Sequence, residues 1–162
     1  MKEDNPTVVF LEPGKVVIER RTIPHPEKGY VLIKTRRTLI STGTELTILS
    51  GEFPKESYWS RYARFPFVPG YDNVGEVVAV GEEVNRDRIG KRVATRSSHA
   101  LFVTVPMESL IPISDQISDD EAAFFTIAEI VTNGVRRADV RLGESVAVYG
   151  AGLLGQFTAR VC

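Results

Sequence analysis

The run Phe67-Val-Pro-Gly-Tyr-Asp-Asn-Val-Gly-Glu-Val-Val-Ala-Val-Gly-Glu-Glu-Val84 decides the fold. Val74, Val77, Val78 and Val80 are β-branched and favour an extended, half-buried chain. Gly70, Gly75 and Gly81 interrupt them, and a glycine inside a strand marks a bulge, a tight bend or the close approach of another backbone. The run therefore reads as a strand that bends, entered through a Pro69-Gly70 turn. Tyr71 and Asp72 follow that turn directly, where polar side chains can serve a site.

Upstream the signals are also β. Val8–Leu11 and Lys15–Arg20 flank a Pro13-Gly14 turn and read as a hairpin. His25 lies between two prolines, which cannot be helical, so it is a loop histidine. Tyr30–Ile40 reads as a long strand with Lys34, Arg36 and Arg37 on an exposed face or rim. The segment Ser41-Thr-Gly-Thr-Glu-Leu-Thr-Ile-Leu-Ser-Gly51 changes character, with little more than one helical turn before Gly51. Its hydroxyls either cap that turn or face a cleft as proton donors. Tyr58, Trp59, Tyr62 and Phe65 sit in a loop from Pro54 to Pro66, either packing on one another or lining a pocket.

Composition narrows the function classes. The chain has 162 residues, 43% hydrophobic and 25% charged, with a net charge of −1. That is a soluble globular balance, with no basic field for nucleic acid and no polybasic run for a membrane surface. No stretch approaches the roughly 18 apolar residues of a membrane span, and the N-terminus is too polar for a signal peptide. Cys162 is the sole cysteine, so no internal disulfide and no cysteine-based metal site can form. The expected setting is cytoplasmic, with a small-molecule partner.

The spacing Gly70-Tyr71-Asp72, Gly75, Gly81, Val84 resembles the signature of the medium-chain dehydrogenases/reductases, the zinc-type alcohol dehydrogenase superfamily. Ser41–Glu45 resembles the family's catalytic loop, Gly90–Ala94 the strand after the signature, and Ala100–Pro106 the strand that follows. The resemblance implies a mainly β fold: a GroES-like β-barrel catalytic domain over residues 1–117, linking helices over 118–140, and the first β-α unit of a Rossmann nucleotide-binding domain over 141–162. It implies NAD or NADP as cofactor.

The departures bear on metal. The family's zinc-binding histidine is Tyr71 here, its first cysteine ligand is Thr42, and its third ligand falls at Ala128. None of these is a plausible zinc ligand. The polar stretch Thr95–Ser98 stands where a structural zinc lobe would lie. No zinc is expected. Without a Lewis acid, a carbonyl needs hydrogen-bond donors where negative charge develops, and Thr44 and Tyr71 are the candidates, with Glu45 and Asp72 as the neighbouring carboxylates. Tyr71 alternatively fills the space of the missing metal. His99, where the family usually has an aromatic, reads as a surface residue of a barrel strand. Within the superfamily, the Gly-Thr-Glu loop and the Gly-Tyr-Asp turn are similar to those of a zinc-free branch that includes the bacteriochlorophyllide dehydrogenases.

Towards the C-terminus, Ser118-Asp-Asp-Glu121 is a capping box that opens a helix through Ala128, followed by a second helical stretch to Ala138. Family resemblance places Thr132 against the nicotinamide amide; a packing role is the alternative. Ser145–Tyr149 has the pattern of a buried parallel strand, and Gly150-Ala-Gly152-Leu153-Leu154-Gly155 follows it and opens an apolar helix, as a dinucleotide fingerprint requires. The acidic residue for the adenine ribose would lie about 20 residues further on. The 162 residues are therefore expected to be a fragment, or a naturally shortened product, of a chain about twice as long, with little or no activity and weak NAD(P)H affinity alone and with any homo-oligomer formed through the remaining nucleotide domain. Two readings follow: part of a zinc-independent oxidoreductase that moves hydride to or from an alcohol, carbonyl or activated double bond, or a non-catalytic GroES-like binding or assembly module.

Overall fold

A computed structural model describes residues 4–162. It divides into two units, Met1–Ala123 and Phe124–Cys162. The first is antiparallel β. Strands β1 (Asn5–Glu12) and β2 (Lys15–Arg21) form the hairpin around Pro13-Gly14. The strands β3 (Tyr30–Thr38), β4 (Asn73–Val80), β5 (Arg92–Thr95), β6 (Phe102–Pro106) and β7 (Ile111–Pro112) make one sheet in the order β6-β3-β4-β5-β7. Hydrogen bonds from Val8 N–H to His99 C=O and between Phe10 and Phe67 stitch the hairpin to segments outside the strands. The mainly β expectation agrees with this architecture.

The opening run behaves as its glycines suggest. A Cβ on Gly75 would lie 2.5 Å from Ile33 Cγ2 and 2.5 Å from the Lys34 carbonyl, and one on Gly81 would collide with the Glu27 carbonyl. The β3–β4 register shifts between Leu32 and Ile33 and again between Thr35 and Arg37, so the pair bends beside these close approaches. Val31, Ile33, Val77, Val93, Val103 and Val105 meet in the core that this bend encloses. Fully burying a side chain such as Ile33 contributes about 2 kcal/mol. β6 alternates buried and half-buried residues, as a strand with one core face must.

Polar groups complete the closure. Asn5, 4% exposed, uses its side-chain amide as a strand would use its backbone: Nδ2 donates to the Phe102 carbonyl at 3.0 Å and Oδ1 accepts from Phe102 N–H at 2.8 Å. Asn73, fully buried, donates through Nδ2 to Thr35 Oγ1 and to the Ser98 carbonyl, each at 3.0 Å.

Two short helices interrupt the sheet. Helix α1 covers Thr44–Ser50 and α2 covers Tyr58–Tyr62, inside what reads as loop in the sequence. No hydroxyl caps α1: its N-cap is Gly43, without a side-chain cap bond. Glu45 instead reaches back to the preceding loop, accepting Ser41 N–H at 2.6 Å. The aromatics of α2 pack on one another and on Phe67: Tyr58 stacks on Tyr62 at 5.5 Å, and Tyr62 meets Phe67 edge-on at 5.5 Å.

The capping box at Ser118 is present, with Ser118 Oγ accepting Glu121 N–H and Glu121 accepting Ser118 N–H. The helix it starts, α3 (Asp119–Ala122), lasts only one turn. Asp119 accepts from Arg92 Nη1 and pairs with Arg36 Nε, both at 2.8 Å, which fixes that turn against the sheet. In the second unit, α4 (Phe125–Arg137) and α5 (Leu153–Val161) are joined by ring contact between Phe124 and Phe157 at 5.7 Å. Residues 145–149 have no regular structure rather than the expected buried strand: they are exposed and unpaired with any strand among the described residues. A parallel strand exists only through hydrogen bonds to a neighbour, and this stretch has none.

Candidate functional site

The site grows from two segments that carry the predicted side chains. The first is the loop 41–45 leading into α1. Glu45, Ile48 and Leu49 lie on one face of that helix, at spacings of three and four, and Glu45 and Ile48 are buried. A carboxylate on an apolar face needs partners, because burial of an unpaired charge costs several kcal/mol (on the order of the desolvation penalty). Glu45, 2% exposed, has two: Oε2 accepts the Ser41 N–H, and Oε1 lies 2.8 Å from His99 Nε2.

The second segment is the turn 69–72. Gly70 has φ +119, and a Cβ there would lie 2.5 Å from His99 N and 2.6 Å from Ser98 Cα. Only glycine permits both the conformation and the approach. The approach lets His99 N–H donate to the Pro69 carbonyl at 2.9 Å. Leu39 N–H donates to the Asp72 carbonyl at 3.0 Å, so the turn is held on two sides. Tyr71 is half-buried and Asp72 fully buried.

His99 therefore joins the segments. Its side chain is 7% exposed and holds Glu45, while its backbone holds Pro69. The expectation of a surface histidine is corrected: the chain from Ser97 to Ala100 turns inward to bond with β1 and with the Pro69 turn, and carries the imidazole with it. The readable signal was Glu45 on the buried face of α1, which demands a donor; nothing local says which donor, since the two residues are 54 apart in sequence. Thr44, half-buried at the start of α1, and Tyr71 stand on the two segments that this bridge connects. His99 Nδ1 is buried and has no hydrogen-bond partner among the described residues. His25 is exposed in its loop.

The positions at issue for zinc carry a poor donor set. Thr42 is exposed, Tyr71 half-buried, and Ala128 has no donor atom. Among the described residues, no three His, Cys, Asp or Glu side chains come together in a way that could hold a metal ion. These residues do not fit a zinc ion.

The remaining predicted residues lie in the second unit. Thr132, exposed on α4, donates its hydroxyl to the Ala128 carbonyl at 2.7 Å, one turn back. Gly150 has φ +99, Gly152 is the N-cap of α5 with no side-chain cap bond, and a Cβ on Gly155 would collide with the Gly150 carbonyl. Leu153 and Leu154 are exposed on the first turn. This is a glycine turn feeding a helix N-terminus, whose free N–H groups and dipole suit a phosphate; these residues fit a dinucleotide pyrophosphate. No helix among the described residues is long and apolar enough to cross a membrane.

The chain is similar to known proteins. Residues 27–115 match the family model of the alcohol dehydrogenase GroES-like domain. L-threonine 3-dehydrogenase of Yersinia enterocolitica is 31% identical over 173 aligned positions, covering 86% of this chain and 49% of its own length. The chain thus spans about half the length of the curated relatives it matches. Among solved structures, a short chain alcohol dehydrogenase from E. coli CFT073 complexed with NADH superposes with a TM-score of 0.84 at 22% identity, over 98% of this chain and 53% of that one. The human synaptic vesicle membrane protein VAT-1 homolog-like protein gives 0.80 at 27% identity, over 98% and 52%.

Proposed function

The chain belongs to the alcohol dehydrogenase GroES-like domain family, and from that premise we propose that it is the substrate-side part of a zinc-independent, NAD(P)(H)-dependent oxidoreductase. The reaction is hydride transfer to or from an alcohol, carbonyl or activated double bond. The observation that carries the reading is the glycine turn 150–155 in front of α5, for which a β domain acting only as a binding or assembly module has no use. The similarity to an L-threonine 3-dehydrogenase and to an NADH complex supports the same class.

In this reading Gly150, Gly152, Leu153, Leu154 and Gly155 receive the cofactor's pyrophosphate, Thr132 meets the nicotinamide end, and the bound cofactor supplies the hydride acceptor or donor. Thr44 and Tyr71 donate hydrogen bonds to the substrate oxygen as charge develops on it, a role that oriented donors fill at a worth of about 3 kcal/mol each. Asp72, fully buried, and Glu45, held by Ser41 N–H and His99 Nε2, are the carboxylates of the same two segments. Threonine, tyrosine and alanine at positions 42, 71 and 128 support catalysis without zinc.

Fluorescence titration with NADH and with NADPH, on this chain and on the complete protein, tests the cofactor. Saturable binding by the complete protein is expected, and its absence overturns the oxidoreductase reading. Metal analysis tests the rest: one tightly held zinc per chain refutes zinc independence.

A further inference from the structure

A cavity of about 470 Å³ opens on the first unit between the end of the β1–β2 hairpin, the segment from Arg96 to Ala100, and β6. That volume lies in the range of small-molecule sites. Arg21 and Arg96 line it, and no acidic side chain does. Glu19, two residues back and so on the same face of β2, accepts from Arg21 Nε at 3.0 Å and from Nη2 at 2.7 Å. The guanidinium is thereby fixed, and Nη1 makes no hydrogen bond among the described residues. Ser97 supplies a second donor. It lines the cavity and is 9% exposed. Thr95, 1% exposed, has Ser97 Oγ at 2.9 Å as the sole partner of its hydroxyl among the described residues. A buried hydroxyl gives its hydrogen to the acceptor it has, so Thr95 donates to Ser97 and the Ser97 hydrogen is left for the cavity. Thr22 and Ser98 add hydroxyls beside it, and Pro24, Val68 and Phe102 make an apolar wall. Neither Thr44 nor Tyr71 lines this cavity.

We propose that this cavity binds a small organic anion, a phosphate monoester or a carboxylic acid, at a site separate from the hydride-transfer residues. The oxyanion lies against Arg21 Nη1 and the Ser97 hydroxyl, and the organic part lies against Pro24, Val68 and Phe102. Arginine suits this role because its guanidinium stays charged and offers its hydrogens in a rigid fork. Hydrogen bonds between an ionised donor and an ionised acceptor are the strong ones, and the Glu19 contact orders the fork before the ligand arrives. All the lining residues belong to the first unit, so the proposal does not depend on the oxidoreductase reading. Val68 and Ser98 flank the close approach at Gly70, so an occupant touches the segments that carry Tyr71 and His99.

NMR titration of the complete protein with phenyl phosphate and with benzoate tests it, at constant ionic strength and with benzamide as the neutral control. Saturable amide shifts at Thr22, Ser97 and Ser98 are expected with at least one anion and not with benzamide; the anion that binds identifies the oxyanion. Arg21→Gln should weaken this binding by about 10-fold and keep the wild-type melting temperature, because Arg21 is exposed. Arg20→Gln removes the same charge from the opposite face of β2, where Arg20 pairs with Asp4. It should leave the affinity within about 2-fold. The proposal is overturned if neither anion gives saturable shifts at these residues, or if benzamide shifts them equally. Unchanged affinity in Arg21→Gln overturns it, as do equal losses in Arg20→Gln and Arg21→Gln, which mark nonspecific attraction to a basic strand. Shifts confined to residues 150–155 overturn it too, and place the anion at the glycine turn instead.

Discussion

The glycines of the sheet and those of the 150–155 turn are crowded by different kinds of neighbour. Gly70 abuts Ser98 and His99, Gly75 abuts Ile33 and Lys34, and Gly81 abuts Glu27. Each of those neighbours belongs to a distant part of the chain. Gly155 instead abuts Gly150, five residues before it. The sheet's glycines therefore report tertiary contacts, and the turn's glycines report a local shape. That difference explains why residues 150–155 hold the expected turn while the neighbouring stretch 145–149 has no strand. A turn closes on itself, but a strand needs hydrogen bonds from elsewhere.

Substitutions can break or sharpen this contrast. The largest effect is expected from Gly81→Ala, whose new methyl meets the Glu27 carbonyl. It should cost the first unit about 3 kcal/mol, read as a lower urea midpoint; an unchanged midpoint means that the Glu27 loop gives way freely. Asn5→Ala comes next. It strands the Phe102 N–H and C=O inside the protein and should cost about 2 kcal/mol, with faster amide exchange at Phe102 as the local readout. Gly150→Ala should be milder, at about 1 kcal/mol, because φ +99 is strained for alanine but nothing lies within 4 Å of the added methyl. Its loss should appear only in the amide exchange of α5, leaving the sheet untouched.

The smallest effect concerns pH. Hydrogen bonds from the Ser118 hydroxyl, and then from the Ser118 N–H, hold the Glu121 carboxyl below its ordinary range. A folded pKa below the unfolded one stabilises α3 above the unfolded value, and this support is lost as pH falls through the folded value. NMR titration of Glu121 should show the depressed pKa, and Ser118→Ala should raise it back towards the ordinary glutamate value of about 4.3. No upward move in that variant means that the capping box is not what lowers it.

Much of the first unit was legible because its signals are short-range or periodic. The Pro13-Gly14 hairpin, the long strand from Tyr30 and the capping box at Ser118 all have local causes and all are present. Elsewhere local reading chose the wrong partner. The hydroxyls around Gly43 suggested a capped helix start, yet α1 begins after Gly43 without any side-chain cap. The loop carrying Tyr58, Trp59 and Tyr62 contains a five-residue helix, α2, whose rings pack against one another. The helix from Ser118 stops after one turn, and a new one begins at Phe125.

By itself the sequence determined the superfamily frame: glycines at 70, 75 and 81 set among β-branched residues, and tyrosine, threonine and alanine where zinc ligands would stand. Spacing and residue type are enough for both, because steric permission and ligand chemistry are properties of single side chains. What only the tertiary structure decided is the pairing of Glu45 with His99. Its cause is nonlocal: β1 and the Pro69 turn draw the backbone of His99 inward, and the buried carboxylate on α1 meets the donor that this inward turn delivers.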